Sequence, residues 1–219
     1  MNKKILYHGS KDLIKQPIYG YGKIYNDYGL GFYCTEDKEL AKEWASSSLS
    51  NGYCNCYEFD ESNLKILDLS NKEYNVLHWL AILINHRKIN LSTGLMKINA
   101  KWLLDNYYID VDKYDVIKGY RADDSYFTFA RLFLNNTISI EQLNYAIRLG
   151  DLGEQIVLKS KKAFSQIIYK DSEEVESDIY FKIRKIRDEN AHDSLVKSLE
   201  VYDVTGTYLT DLIRRDNCE

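Results

Sequence analysis

An α+β domain is the fold class this sequence predicts, and three observations carry the prediction. Short runs rich in aromatic and β-branched residues, bounded by glycine or polar clusters, read as strands; residues 4–8 and 53–59 are the clearest. Between them stand longer segments whose apolar residues recur at near-3.6 spacing, the signature of helices with one packed face. The two kinds alternate irregularly over 219 residues, without an internal repeat, a low-complexity linker or a break in composition. A single α+β domain with helices inserted between its strands accounts for all three.

Residues 4–8 form the first strand, which runs into His8-Gly9-Ser10. Residues 17–29 hold Gly20, Gly22 and Gly29 among tyrosines and Asn26, and read as a mobile loop. A short aromatic strand follows at Gly31-Phe32-Tyr33-Cys34. Thr35 is a good N-cap, and Glu36 and Asp37 place negative charge in the first turn of a helix over residues 36–48. Leu40 and Trp44 share one face of that helix.

Residues 53–59 and 64–67 read as strands, and residues 71–87 as a helix with Asn71 as its cap. A second helix covers 97–107, with Ile98, Trp102 and Leu103 as its apolar stripe. A strand at 114–117 leads into the polar run Gly119-Tyr120-Arg121-Ala122-Asp123-Asp124-Ser125-Tyr126-Phe127, which opens a helix over 124–135. Ser139 and Gln142 have capping-box spacing at the start of a helix that stops at Gly150. Gly153-Glu154-Gln155-Ile156-Val157-Leu158 reads as a buried strand, and residues 166–170 as another. A charged helix spans about 174–202, with Ile179, Ile183, Ile186 and Leu195 as its packed face, and residues 208–214 form a short closing helix. The organisation is thus a core over about 1–170 with a helical insertion at 71–147, and a C-terminal helical extension over about 174–219.

Composition narrows the function classes. A net charge of −4 argues against a strongly basic nucleic-acid footprint, though not against a local basic groove. Tyrosine, at 19 residues against a single proline, favours strands and wet apolar clefts; a general lean toward Lys, Asn, Ile and Tyr explains the count equally well. The N-terminus does not read as a secretion signal and no apolar run approaches membrane-spanning length, so a cytoplasmic protein without membrane contact is expected. Cys34, Cys54, Cys56 and Cys218 make no obvious disulfide framework. Cys54 and Cys56 read as buried strand cysteines rather than metal ligands, and no metal is expected.

Two stretches carry chemistry when taken together. Tyr7-His8-Gly9-Ser10, followed by Gly29-x-Gly31-Phe32-Tyr33-x-Thr35 and a helix, resembles the NAD-binding half of ADP-ribosyltransferases, in the branch that includes diphtheria toxin and the poly(ADP-ribose) polymerases. The resemblance implies an ADP-ribosyltransferase-like split β-sheet core. It implies that the backbone of Gly9 grips the nicotinamide carboxamide and that His8 bonds a ribose hydroxyl, with Ser10 alongside. Tyr33 would pack on the nicotinamide ring, with Trp44, eleven residues on, as the second stacking residue. Glu154, opening an apolar strand, matches the catalytic glutamate and completes a His8, Tyr33 and Glu154 triad.

Each residue has a plainer reading alone: a strand-end histidine, one tyrosine among many, a helix anchor, a solvated strand end. Their order and spacing set them apart. The run from Tyr120 to Phe127 also resembles an uncharacterised bacterial family of ADP-ribosyltransferase-like proteins, several of which stand beside small partner genes as toxin–antitoxin or phage-defence components do. Arg121, Asp123, Asp124 and Gln155 are the candidate contacts to an acceptor or a phosphate. The activity implied is NAD-dependent mono-ADP-ribosylation of a protein or nucleic acid, with a small neutralising antitoxin as an expected partner. The alternatives are an NAD glycohydrolase and a catalytically inactive module that binds NAD or a partner.

Overall fold

A computed structural model of the chain describes residues 3–48, 50–122, 124–149, 153–199, 203 and 205–216. The fold is α+β, with two sheets and eight α-helices among the described residues. The first sheet is antiparallel, in the order β1 (Lys3–Ser10), β3 (Gly52–Asp60) and β7 (Ile167–Val175). The second runs β2 (Phe32–Cys34), β6 (Glu154–Leu158), β5 (Val116–Tyr120) and β4 (Ile66–Asp68), antiparallel except for the β4–β5 pair. A bridge joins the sheets: Tyr7 N–H donates to the Thr35 carbonyl at 2.8 Å, and Thr35 N–H returns to the Tyr7 carbonyl at 2.9 Å.

The expected helix at Thr35 begins two residues later because of that bridge. With its backbone committed to β1, Thr35 stays extended, and Asp37 caps α1 (Lys38–Ala45) by accepting from the amides of Glu39 and Leu40. The next helix, α2 (Val76–His86), is shorter than expected for a local reason. Asn75, not Asn71, is the cap: its side chain accepts from Leu77 N–H, while His78 Nδ1 accepts from the Asn75 amide. In α3 (Gly94–Tyr107) the buried residues are Met96, Asn99, Ala100 and Leu103, and Ile98 faces solvent at 65% exposure. Of the expected stripe, Leu103 is fully buried and Trp102 packs partly buried against the same core, so only Ile98 departs from it.

A 3₁₀ turn at Val111–Lys113 precedes β5, and α4 (Asp124–Leu134) and α5 (Ile140–Leu149) follow it. The Ser139–Gln142 capping box is present, with Gln142 N–H donating to Ser139 Oγ and Ser139 N–H to Gln142 Oε1. A short helix the sequence reading lacked, α6 (Lys161–Ser165), is capped by Ser160. The strand expected to end at residue 170 continues to 175 as β7, because β3 offers it a full-length partner across a bulge at Cys56/Tyr57.

The largest core lies between the second sheet and α2–α5. Leu77, Leu80, Leu83, Phe129 and Phe133 are fully buried there, each side chain contributing about 1.5–3 kcal/mol relative to exposure. A second core fills the space between the sheets, where Leu6, Tyr57 and Phe59 meet Phe32, Cys34, Ile156 and Leu158. On the outer face of the first sheet, Ala41 and Ala45 of α1 pack on Cys54 and Val175. Burial pushes the Cys54 thiol up to about 11, as expected of a structural strand cysteine; Cys56 is half-buried, and Cys218 lies outside the described residues.

The C-terminal segment forms α7 (Ser177–Leu199) and α8 (Leu209–Asp216). Leu209 is fully buried in the main core, so α8 is part of the body of the fold. The expected packed face of α7 is not packed: Ile179, Ile183 and Ile186 are 50%, 43% and 56% exposed, and the Leu195 side chain lies outside the described residues. Polar contacts tie α7 to α1 instead, with Arg187 Nη2 donating to Glu43 Oε1 at 2.6 Å and the Tyr180 hydroxyl to Glu39 Oε2 at 2.8 Å. No helix of the described residues is long and apolar enough to cross a membrane.

Candidate functional site

A cavity of about 810 Å³ opens where the two sheets diverge, within the size range of small-molecule sites. Its walls come from the end of β1, from β2, α1 and the loop up to residue 31, and from Arg121 and Gln155. His8, Gly9, Ser10, Tyr33, Trp44, Arg121 and Gln155, all singled out in the sequence, meet here.

His8 is the fixed point. Its Nδ1 lies 2.6 Å from the Tyr33 carbonyl oxygen, a group that can only accept, so Nδ1 carries the proton and donates it. Burial pushes the imidazole below its ordinary pKa against the opposing pull of that carbonyl, which keeps the ring neutral at pH 7. The ring stacks on Phe32 with centroids 4.4 Å apart. Nε2 is left as an acceptor at the cavity wall, suited to a sugar hydroxyl.

Gly9 is required twice over. A Cβ there would overlap the Ala41 carbonyl oxygen, because α1 crosses β1 at this residue. The backbone polarity of β1 does the rest. Amide and carbonyl of successive strand residues alternate sides, and those of Tyr7 face Thr35 rather than β3. Those of Gly9, two residues on, point the same way, past the bridge and into the cavity. A planar carboxamide fits that donor–acceptor pair. Ser10 Oγ accepts from the Asp12 amide at 3.1 Å and still has its proton to give.

Tyr33 is half-buried, and its hydroxyl is held by the loop before it: it donates to the Gly29 carbonyl at 2.6 Å and accepts from Tyr28 N–H at 3.1 Å. Burial pushes this phenol far above its ordinary range, so it stays neutral. Trp44, on α1, carries the Arg121 guanidinium over its ring at 5.0 Å, and its buried indole N–H has no hydrogen-bond partner. The stacking face expected for nicotinamide is therefore shared with a cation, a pairing that places positive charge at the cavity rim.

The sequence reading missed the cavity floor. Asp27 is buried, and its Oδ2 accepts from the Ala122 amide and from Gln155 Nε2, both at 2.9 Å. Its Oδ1 lies 3.3 Å from Arg87 Nε, and Arg87 packs over Phe127 at 4.6 Å. Burial pushes the Asp27 carboxyl up, while the Ala122 amide, Gln155 and Arg87 draw it back down. Beside it the Tyr120 carbonyl receives three donors: the Tyr28 hydroxyl at 2.8 Å, Trp79 Nε1 at 3.0 Å and Gln155 Nε2 at 3.2 Å. The signal in the sequence was Asn26-Asp27-Tyr28-Gly29, which passes for turn chemistry.

Not every expected residue joins the site. Glu154 opens β6 as an exposed residue and is not among those lining the cavity, whereas Gln155 is. Asp123 lies outside the described residues, as does the side chain of Asp124, whose backbone begins α4.

A protein-family model described as a protein of unknown function, DUF3990, matches residues 4–169, which include every residue lining the cavity and all of the strands except Lys3 and most of β7. No curated protein and no solved structure matches the chain.

Proposed function

The chain belongs to the DUF3990 family, and on that premise we propose that it is an NAD-dependent mono-ADP-ribosyltransferase that modifies a macromolecule, built on an ADP-ribosyltransferase-like split sheet. The observation that carries this reading is the pairing of a neutral His8, its free Nε2 an acceptor, with a Gly9 backbone whose amide and carbonyl face the same opening. The first suits a ribose hydroxyl and the second the nicotinamide carboxamide, with the Tyr33 ring beside them. Arg121 and Arg87 at the rim and floor suit the diphosphate.

The chemistry required is modest. The bond between ribose C1′ and nicotinamide N1 breaks, and its electron pair stays on nitrogen, discharging the pyridinium. The ribosyl cation that remains is captured by an oxygen or nitrogen lone pair of the acceptor, whose proton passes to solvent. Holding ring and sugar apart in the cleft supplies orientation, and nearby negative charge stabilises the cation.

The test is incubation of the purified protein with radiolabelled NAD and cell extract, following free nicotinamide and labelled macromolecule, then digesting the product with protease or nuclease. A transferase yields both nicotinamide and label. Nicotinamide without label identifies a glycohydrolase, and failure to bind NAD removes the reading. Replacing His8 by Ala should weaken NAD binding about tenfold, the loss of roughly one hydrogen bond, measured by calorimetry.

A further inference from the structure

The third position of the site is decided by one step of strand alternation. In β6, Tyr33 pairs with Val157, so Val157 and Gln155 share the face that Tyr33 occupies on β2. Glu154 lies on the other face with Ile156 and Leu158, the inter-sheet face that Phe32 shares, but it is exposed at the start of the strand and does not line the cavity. Gln155 is 3% exposed and lines the cavity with His8 and Tyr33.

The orientation of its amide is fixed by chemistry. Both close partners of Nε2, Asp27 Oδ2 at 2.9 Å and the Tyr120 carbonyl at 3.2 Å, are acceptors, so both amide protons are committed there. Oε1 is what remains for a ligand. A neutral carbonyl alone is a poor stabiliser of a sugar cation. Here the Asp27 carboxylate, itself paired with Arg87, bonds the other end of the amide and polarises it toward Oε1.

We propose that Gln155 is the residue that contacts the nicotinamide ribose through Oε1, that Asp27 is its positioning residue, and that Glu154 takes no part in the reaction. This rests on the reading of the cleft as an NAD site. The C1′–N1 bond breaks as above, and the amide and carboxylate are unchanged at its end. The site is then an amide–acid pair that divides between two residues the work of a single catalytic carboxylate.

The experiment measures NAD affinity by calorimetry, nicotinamide release and thermal stability for the full-length wild type, E154Q, Q155A, Q155E, D27N and D27N/Q155E. E154Q should stay within about threefold of wild type in affinity and turnover, whereas Q155A should lose about a hundredfold or more in kcat and a few-fold in affinity. D27N should lower kcat by about tenfold or more with KM little changed, which separates positioning from mere folding. Q155E sets two buried carboxyls in contact and should be impaired; D27N/Q155E, which exchanges acid and amide, should recover most of the loss. Loss in E154Q with a near-normal Q155A would overturn the assignment while leaving the NAD reading intact. A D27N effect on melting alone would overturn the part given to Asp27. A wild type that binds NAD without releasing nicotinamide would overturn the reactive role given to Gln155 while leaving the NAD reading intact. A wild type that does not bind NAD overturns both readings together.

Discussion

Tyr33 serves the site with its ring and the fold with its hydroxyl, and the two uses separate by mutation. Tyr33→Phe keeps the ring but removes the donor to Gly29 and leaves the buried Tyr28 amide without its acceptor. The expected cost is about 1–3 kcal/mol of stability, read by chemical denaturation, with NAD affinity nearly preserved. Tyr33→Ala should lose both; unchanged NAD affinity in that variant would remove the ring from the binding site. At this scale the sequence was legible wherever the site is contiguous. His8 and Gly9 are neighbours, and Tyr33 lies in a glycine-flanked strand. Asp27 was not legible, because its burial depends on Gln155, 128 positions away, and on the Ala122 amide. The one-residue choice between Glu154 and Gln155 needed the strand register, which no property of either side chain reveals.

Among the elements, two helices start a few residues later than their sequence signals suggest, α1 because of tertiary pairing and α2 because a second cap lies closer to its apolar run. Thr35 has the better capping chemistry in isolation, but its bridge to Tyr7 makes Asp37 the cap. For α2, Asn75→Ala should cost about 1 kcal/mol, and Asn71→Ala much less, since only Asn75 accepts from the first turn; equal effects would refute the assigned boundary. Helix α7 is present, but the core does not reach Ile179, Ile183 or Ile186, and periodicity carries no information about distance from the core. On β5, a Cβ at Gly119 would overlap the Tyr28 hydroxyl, the group that bonds the Tyr120 carbonyl on the cavity floor. Gly119→Ala should therefore loosen the floor and lower NAD affinity and melting temperature together. A variant indistinguishable from wild type would show that Tyr28 has room to move.

For the molecule as a whole, acid is the expected weakness. His8, His78 and His86 are all pushed below the ordinary histidine value of 6.5, chiefly by burial. The unfolded chain then binds more protons than the folded one between the two values, so stability falls as pH drops below about 6.5 and levels off once the folded imidazoles titrate. Asp27 acts with the opposite sign. Its raised value means the fold resists the charged form, a penalty that grows as pH rises from 3.8 through the folded value. Melting curves between pH 5 and 8 should show the histidine slope, and replacing His8 by Gln should flatten it in part. A flat profile for the wild type would contradict the burial of these rings.

The bond from His8 to Tyr33 crosses from one sheet to the other, and this gives the protein a built-in gauge. The imidazole stands on β1 and the carbonyl that fixes its tautomer stands on β2. Any widening of the seam between the sheets frees Nδ1 and lets the proton move to Nε2, turning the acceptor meant for a ribose hydroxyl into a donor. Competence of the cleft is thereby tied to its aperture through a single proton. The nitrogen resonances of that ring should report in solution whether the two halves are closed, before any substrate is added.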